Sequence, residues 1–489
     1  MHFLIKLFPE MTIKSGPVRK RQVRQLRRNV RRIAQRFDER ITVEGRWDRL
    51  EVGMPDEGTD EHLRDTVADA LTRVPGIGRI LEVVDYKIGD FEEIFANLLP
   101  SCRERLDGRT FAVRVKRAGS HQFTSQQLEQ YLGAQLLKHT NATGVDLRKP
   151  DVWVRLEVRD NRYFIIHRRF DGLGGFPIGT LDSALSLISG GFDSTVSTYL
   201  AVRRGLRTHY LFFNLGGTAH EAGVKQVALY LWERYQSSHK VRFISVPFDG
   251  VTGELMRKVH HSRRGVMLKR LMLQAAEQVS QDMNIGALVT GESLAQVSSQ
   301  TLTNLAAIDT ATPMLILRPL IHMDKQDIIR IAGEIGTEEF ARNMPEYCGL
   351  ISDRPSTRVK AERIAADEEQ FDYAVLEAAV ASRRIMNVDE VLASEIGITD
   401  VPRVSTPTVG DLVVDIRHPS EGDNDPLFLT NNEVVRMPFY DINQRFSELP
   451  PANRYLLYCD RGTMSELHAG HLAAAGHDNV LVYDPVRSD

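Results

Sequence analysis

The stretch Ser189-Gly190-Gly191-Phe192-Asp193-Ser194 constrains this 489-residue chain more than any other. The apolar run Ala184-Leu185-Ser186-Leu187-Ile188 before it reads as a buried strand, and Thr195–Val202 after it as the first turns of a helix. Two glycines at such a junction let the backbone approach a ligand closely. The first amides of the helix have no internal partner and carry partial positive charge, which suits phosphate. Ser189 and Ser194 can add hydroxyl donors. Asp193 repels phosphate unless a cation lies between them, which argues for Mg²⁺ held by Asp193 and phosphate oxygens. No Gly-Lys-Ser/Thr follows, so the loop is not a Walker A motif.

Ser-Gly-Gly-x-Asp-Ser resembles the PP-loop of the ATP pyrophosphatases. That resemblance implies that ATP is split between its α and β phosphates and that AMP is placed on an oxygen of the substrate. Further strand patterns follow at Arg207–Phe213, Val241–Val246 and Ala287–Thr290, separated by helical stretches. This alternation predicts a doubly wound parallel sheet with ligands at the carboxyl ends of its strands. There the family places the adenosine, which implies Leu187, Ile188, Ser189, Gly190, Gly191, Ser194, Phe212, Phe213 and Gly291 as the ATP site, with Lys269 and Gln300 nearby. Lys325 follows a strand and opens a helix, so it is expected to neutralise phosphate charge during adenylyl transfer.

A chain of this length exceeds one core and is expected to form three or four domains. Its first residues read as a strand with no secretory pattern, and no apolar run is long enough to span a bilayer, so a cytoplasmic protein with no membrane partner is expected. Three cysteines, Cys102, Cys348 and Cys459, cannot build a disulfide framework, and no Cys/His cluster has zinc spacing. Residues 1–180 hold 32 Lys+Arg against 25 Asp+Glu, a net +7, which leaves −10 for the remainder. This asymmetry places a polyanionic partner on the N-terminal part.

Residues 1–60 read as a small α+β unit, expected to be ferredoxin-like, with a helix from about Val18 to Phe37. Val23, Leu26, Val30, Ile33 and Phe37 form its apolar stripe, and arginines including Arg24, Arg28 and Arg31 cover the rest. Almost no acid neutralises them, so they are candidate RNA contacts. In residues 61–167 a helix, the Val74-Pro75-Gly76-Ile77 turn and the strand Arg114-Val115-Lys116-Arg117 together resemble a THUMP domain. This family binds RNA, which implies Lys116 and Arg117 as further contacts. Cys102 reads as a packed thiol.

Residues 178–352 are assigned to the PP-loop domain, and 353–406 read as a charged, mostly helical bridging segment rather than a core. In residues 407–487 the strand Arg454–Tyr458 delivers Cys459-Asp460-Arg461-Gly462-Thr463-Met464-Ser465 before a helix. Amides pointing inward at a helix N-terminus lower a thiol pKa and stabilise an anion on sulfur. Cysteine phosphatases need an arginine where Ser465 stands. Asp415-Ile416-Arg417 followed by this loop instead resembles a rhodanese domain, which carries sulfur as a cysteine persulfide.

Together these parts resemble the family of ThiI-type tRNA 4-thiouridine synthetases over essentially the whole chain. The resemblance implies tRNA as substrate, uridine 8 as the target, ATP with Mg²⁺, and a cysteine desulfurase that loads a persulfide on Cys459. It also implies Cys348 as the disulfide partner of Cys459, and a second delivery of sulfur to the sulfur-carrier protein of thiamine biosynthesis. Two other readings stand beside it: a PP-loop enzyme acting on another tRNA base or a metabolite, and a catalytically inactive tRNA-binding protein. The presence of Asp193, Lys325, Cys348 and Cys459 argues against the second, and a rhodanese domain beside a basic N-terminal half argues against the metabolite.

Overall fold

The computed structural model describes residues 1–55, 59–215, 217–342, 344, 354–391, 401–460 and 462–485. The chain forms two compact units, residues 1–180 and 181–489.

In the first unit, β1 (His2–Leu7), the helix Gly16–Ala34, β2 (Thr42–Gly45), β3 (Arg49–Gly53), the helix Glu61–Thr72 and β4 (Ile77–Lys87) pair in the order β2-β3-β1-β4, all antiparallel. This is the ferredoxin-like βαββαβ arrangement. Val23, Leu26, Val30 and Ile33 of the first helix share one core with Val67 and Leu71 of the second and with Val74, Ile77 and Ile80. The boundary expected at residue 60 is therefore corrected to about residue 80, because the second helix and the Val-Pro-Gly turn complete this core. Gly76 has φ +102, a conformation that needs glycine.

A second core lies under the helices Phe91–Cys102 and Ser125–His139. It is faced by β5 (Thr110–Ala118), β7 (Val152–Arg159) and β8 (Arg162–Asp171), with β6 (Gly144–Val145) at the sheet edge. Cys102 is buried in this core, and burial pushes its thiol pKa up. β8 pairs with β4 and joins both parts into one eight-stranded sheet, β2-β3-β1-β4-β8-β7-β5-β6.

The second unit contains two sheets. The first has the order β13-β12-β9-β10-β11-β14. Its strands β9 (Ser183–Leu187), β10 (Arg207–Asn214), β11 (Arg242–Pro247), β12 (Ala287–Val289) and β13 (Leu315–Leu317) are parallel. The edge strand β14 (Arg384–Asn387) runs antiparallel to β11. β14 belongs to the stretch expected to be a bridge, and Val359, Ile364, Phe371, Leu376 and Val380 are buried in the same core as Leu185, Leu211 and Ile244. Residues 354–391 are thus part of this domain's core. Their two short helices expose charge outward while burying one apolar stripe, a pattern that a reading by net charge misses.

The last sheet is five parallel strands in the order β15-β19-β18-β16-β17. These are β15 (Arg403–Val404), β16 (Asp411–Asp415), β17 (Val434–Arg436), β18 (Arg454–Tyr458) and β19 (Val480–Tyr483). The helix Thr463–Ala474 follows β18.

Candidate functional site

The hexapeptide joins the end of β9 to the helix Phe192–Arg204, with Gly191 at the N-cap and Gly190 at φ +83. Its serines tie the loop from within: the Ser189 amide donates to Ser194 Oγ (3.1 Å), the two hydroxyls are 3.0 Å apart, and Ser194 Oγ donates to the Gly191 carbonyl (3.2 Å). Bracing the loop is thus their first task. Gly291, just past β12, is required by packing. A Cβ there would lie 2.7 Å from the Asp193 carbonyl carbon and 2.8 Å from the Ser194 nitrogen.

Asp193 stands in the first helical turn. Lys325, at the start of the helix Lys325–Glu334, donates to Asp193 Oδ1 at 2.9 Å, and Gln296 Nε2 donates to Oδ2 at 2.8 Å. The fold therefore brings together Asp193, Lys325, Gly291 and the loop as the sequence implied. Among the described residues no group of three His, Cys, Asp or Glu side chains surrounds the site. One carboxylate beside a phosphate cradle still fits Mg²⁺, which takes few protein ligands and most of its oxygens from phosphate and water.

Lys269 reaches Glu292 Oε1 at 3.3 Å, and Arg318 Nε donates to Oε2 at 3.0 Å. Glu292 is buried, which alone would push its pKa up, but Lys269, the Thr290 hydroxyl and Arg318 outweigh burial and hold the carboxyl below its ordinary value. Lys269 thus lies one residue from Gly291 through Glu292. Among the described residues, buried Gln300 has no hydrogen-bond partner on Oε1, and neither does the buried Oε1 of Gln296. Both amides belong to the loop after β12, and Ala295 there adopts φ +62.

Leu187 ends β9 half-buried and Ile188 is buried. Phe212 and Phe213 are both buried. The Phe212 ring packs edge-on against His220 (4.9 Å), and the Phe213 ring lies 4.6 Å from Phe248 in the core. The sequence reading missed His220, whose Nε2 lies 3.3 Å from the Ser189 carbonyl and whose pKa is lowered by burial. It also missed Glu221, buried and bonded to Arg384 and Asn214 at the end of β10. Neither lies in a recognisable motif. Arg384 arrives from the stretch expected to be a bridge.

In the C-terminal sheet, Cys459 follows β18 and is half-buried. Gly462 caps the next helix at φ +73, and the Ser465 amide donates to Cys459 Sγ at 3.4 Å. The sulfur thus sits at a helix N-terminus, as expected. Arg417 is buried among Asp415 and Asp460, with Nη1 2.9 Å from Asp460 Oδ1 and its guanidinium 4.9 Å from the Tyr458 ring. The guanidinium therefore fixes the residue next to Cys459. Cys348 and Arg461 lie outside the described residues. Cys102 is a free thiol.

The first unit presents two basic surfaces. Arg24, Arg28 and Arg31 are exposed on the helix Gly16–Ala34, which covers one face of the large sheet. The opposite face has a groove of about 380 Å³ lined by Lys6, Arg79, Arg114, Lys116, Arg155 and Arg169, with Glu157 among them. Burial, then Arg169, Arg79 and Arg105, push the Arg155 guanidinium pKa down, the mark of a cationic cluster short of counter-charge. Arg114 and Arg155 flank the Trp153 ring at 5.2 and 5.1 Å. Strand alternation separates two expected contacts. Lys116 lines the groove, whereas Arg117 points to the helix-covered side, 3.3 Å from His121 Nδ1.

Comparisons with known proteins agree with this architecture. Residues 2–80 match a ThiI ferredoxin-like domain, 89–168 a THUMP domain, and 179–373 the family described as thiamine biosynthesis protein (ThiI). The chain is 53% identical to a tRNA sulfurtransferase of Marinobacter nauticus, with 99% of this chain and all of that protein covered. A tRNA sulfurtransferase of Pseudomonas putida is 50% identical over the same shares. A crystal structure of a 4-thiouridine synthetase–RNA complex with bound ATP superposes with TM-score 0.70 at 28% identity, covering 79% of this chain and 99% of that one. The chain belongs to the tRNA sulfurtransferase family.

Proposed function

We propose that this protein uses ATP to replace O4 of uridine 8 in tRNA with sulfur, giving 4-thiouridine. The observation that carries the reading is the pairing in one chain of two helix N-termini. One bears the phosphate loop with Asp193 and Lys325, and the other holds a cysteine sulfur on the Ser465 amide. The relatives named above are tRNA sulfurtransferases, and the structural neighbour holds RNA and ATP.

The chemistry divides between the two loops. Oxygen leaves C4 of uracil poorly, so O4 attacks the α phosphate of ATP and pyrophosphate departs. AMP then becomes the leaving group at C4. The loop amides and Lys325 face the charge that develops on the phosphates. Asp193 would hold Mg²⁺, which neutralises phosphate charge when bound. Sulfur arrives as a persulfide on Cys459, loaded by a cysteine desulfurase, and attacks C4 as AMP leaves. The Cys348 thiolate then attacks Cys459 Sγ, which leaves the outer sulfur on the base and forms a Cys348–Cys459 disulfide. A reductant closes the cycle. Direct transfer from Cys459 to the sulfur-carrier protein of thiamine biosynthesis needs Cys459 but not Cys348.

The decisive assay supplies ATP, Mg²⁺, ³⁵S-cysteine, desulfurase and unmodified tRNA. Label in 4-thiouridine, with one AMP and one pyrophosphate per sulfur, supports the reading; ADP with phosphate, or unlabelled tRNA, sinks it. RNA binding tests the two basic surfaces. Each phosphate contact contributes about −0.7 to −0.9 to the slope of log affinity against log salt. Changing Arg24, Arg28 and Arg31 to alanine is expected to weaken tRNA binding and flatten that slope. An unchanged slope assigns binding elsewhere, with the groove around Arg155 and Lys116 next to be altered.

A further inference from the structure

Within the second unit, an aromatic cluster joins the phosphate-loop domain to the C-terminal domain. Tyr230 of the helix Gly217–Leu231 and Phe340 of the helix Glu338–Arg342 lie 5.3 Å apart between ring centroids. Phe439, which opens the helix Phe439–Arg445, stacks on Phe340 at 4.8 Å and meets Tyr230 at 5.6 Å. All three are buried, and the Tyr230 hydroxyl donates to the Ile335 carbonyl at 3.2 Å. Beside them Arg234 lies over the Tyr230 ring and forms an ion pair with Glu421 of the helix Pro419–Asn424. The two partners keep only 15% and 19% side-chain exposure.

Each side of this joint leads within a few residues to a reactive loop. On the C-terminal side, the Phe439 amide bonds the Ile416 carbonyl, and the next residue, Arg417, holds Asp460 beside Cys459. β16 and β18 are parallel neighbours, so the edge that carries Cys459 is the same edge on which Ile416, Glu421 and Phe439 are docked. On the other side, Phe340 stands four residues before Met344, whose side chain covers Gly190 of the phosphate loop.

We propose that the Tyr230–Phe340–Phe439 cluster with the Arg234–Glu421 pair is the docking joint from which sulfur is delivered to the adenylated base. It holds the Cys459 edge of the C-terminal domain against the domain that activates the base. The proposal rests on the reading that Cys459 carries the sulfur, and it separates two steps. Loading of Cys459 by a desulfurase does not use the joint; transfer to tRNA does.

The test uses the full-length protein and charge reversal: Glu421→Arg, Arg234→Glu and the double variant. Cys459 loading with ³⁵S and single-turnover transfer from preloaded enzyme to tRNA are measured separately, with tRNA affinity as a control on the first unit. Each single reversal is expected to load normally and to transfer at least about tenfold more slowly, and the double reversal to recover most of the rate, as paired charges across an interface do. Glu421→Gln, which preserves size, is expected to load fully and transfer at an intermediate rate. The proposal is overturned by wild-type or faster transfer in the single reversals and in Glu421→Gln, or by a double reversal as slow as the singles. Absence of label on Cys459 in the wild type overturns the sulfur-carrier reading instead.

Discussion

The phosphate loop and the Cys459 loop use one physical device for two purposes. Both leave the end of a parallel strand, turn through a left-handed glycine (Gly190 or Gly462) and open a helix whose first amides point at the turn. At the first loop the anion is expected to come from outside. The protein braces the loop by tying Ser189 to Ser194, and it pairs Asp193 with Lys325 beside it. At the second loop the turn carries a sulfur of the chain itself: Cys459 Sγ accepts the Ser465 amide. The geometry is shared, and the side chain set at the turn differs: a serine pair braces one loop and a cysteine sulfur stands in the other.

Removing the defining side chain of each loop is the strongest way to break this comparison. Cys459→Ala is expected to lower tRNA thiolation by more than about 10³-fold, the scale of losing a covalent nucleophile, while AMP formation on tRNA persists. Thiolation that survives in this variant would mean sulfur travels by another thiol. Asp193→Asn keeps the size and a hydrogen-bonding oxygen but removes the charge. Its AMP formation is expected to fall by about 10²-fold, the scale of losing one electrostatic contact to the reacting group, while ³⁵S loading of Cys459 stays normal. If loading and AMP formation fall together in either variant, the two loops are not independent devices.

Packing beneath the loops gives smaller effects. Gly291→Ala forces a methyl against the Asp193 and Ser194 backbone and is expected to cost about 1–3 kcal/mol of stability, read by denaturant unfolding. It should also raise the KM for ATP, and no change in either would show that the first helical turn yields at no cost. The C-terminal domain has a different weakness. His468, on the helix that follows Cys459, is fully buried, and burial pushes its pKa down to about 3. The unfolded chain takes up a proton below the ordinary value of about 6.5 and the folded chain does not. Stability therefore falls as pH drops through that range, by up to about 1.4 kcal/mol per pH unit. Melting curves at pH 7 and pH 5 should show this loss in the wild type and less of it in His468→Leu; identical losses would assign it to other groups.

Ser-Gly-Gly-Phe-Asp-Ser between an apolar run and a helix, and Cys459 six residues before Ser465, were legible because each site is local. A strand, a turn with a left-handed glycine and a helix N-terminus form from adjacent residues, so the anion-facing amides follow from the order of the residues. The apolar stripe Val23, Leu26, Val30 and Ile33 was legible for the same reason, since helical periodicity repeats within a few turns.

What crosses the chain was not legible. Gln296 meets Asp193 from more than 100 residues away, and Arg384 reaches Glu221 from a stretch whose charge suggested a bridge. The placement of Phe212 and Phe213 in the core depended on which face of β10 the neighbouring helices cover. That Lys116 and Arg117 take opposite faces follows from reading 114–117 as a strand, but which face bears the groove depended on how β5 pairs in the large sheet. The sequence by itself determined where backbone amides and reactive atoms are displayed, because that is set by residues in contact along the chain. Only the tertiary structure decided which charges answer them and which edge of the C-terminal domain is docked, because those contacts arise from the pairing order of distant strands.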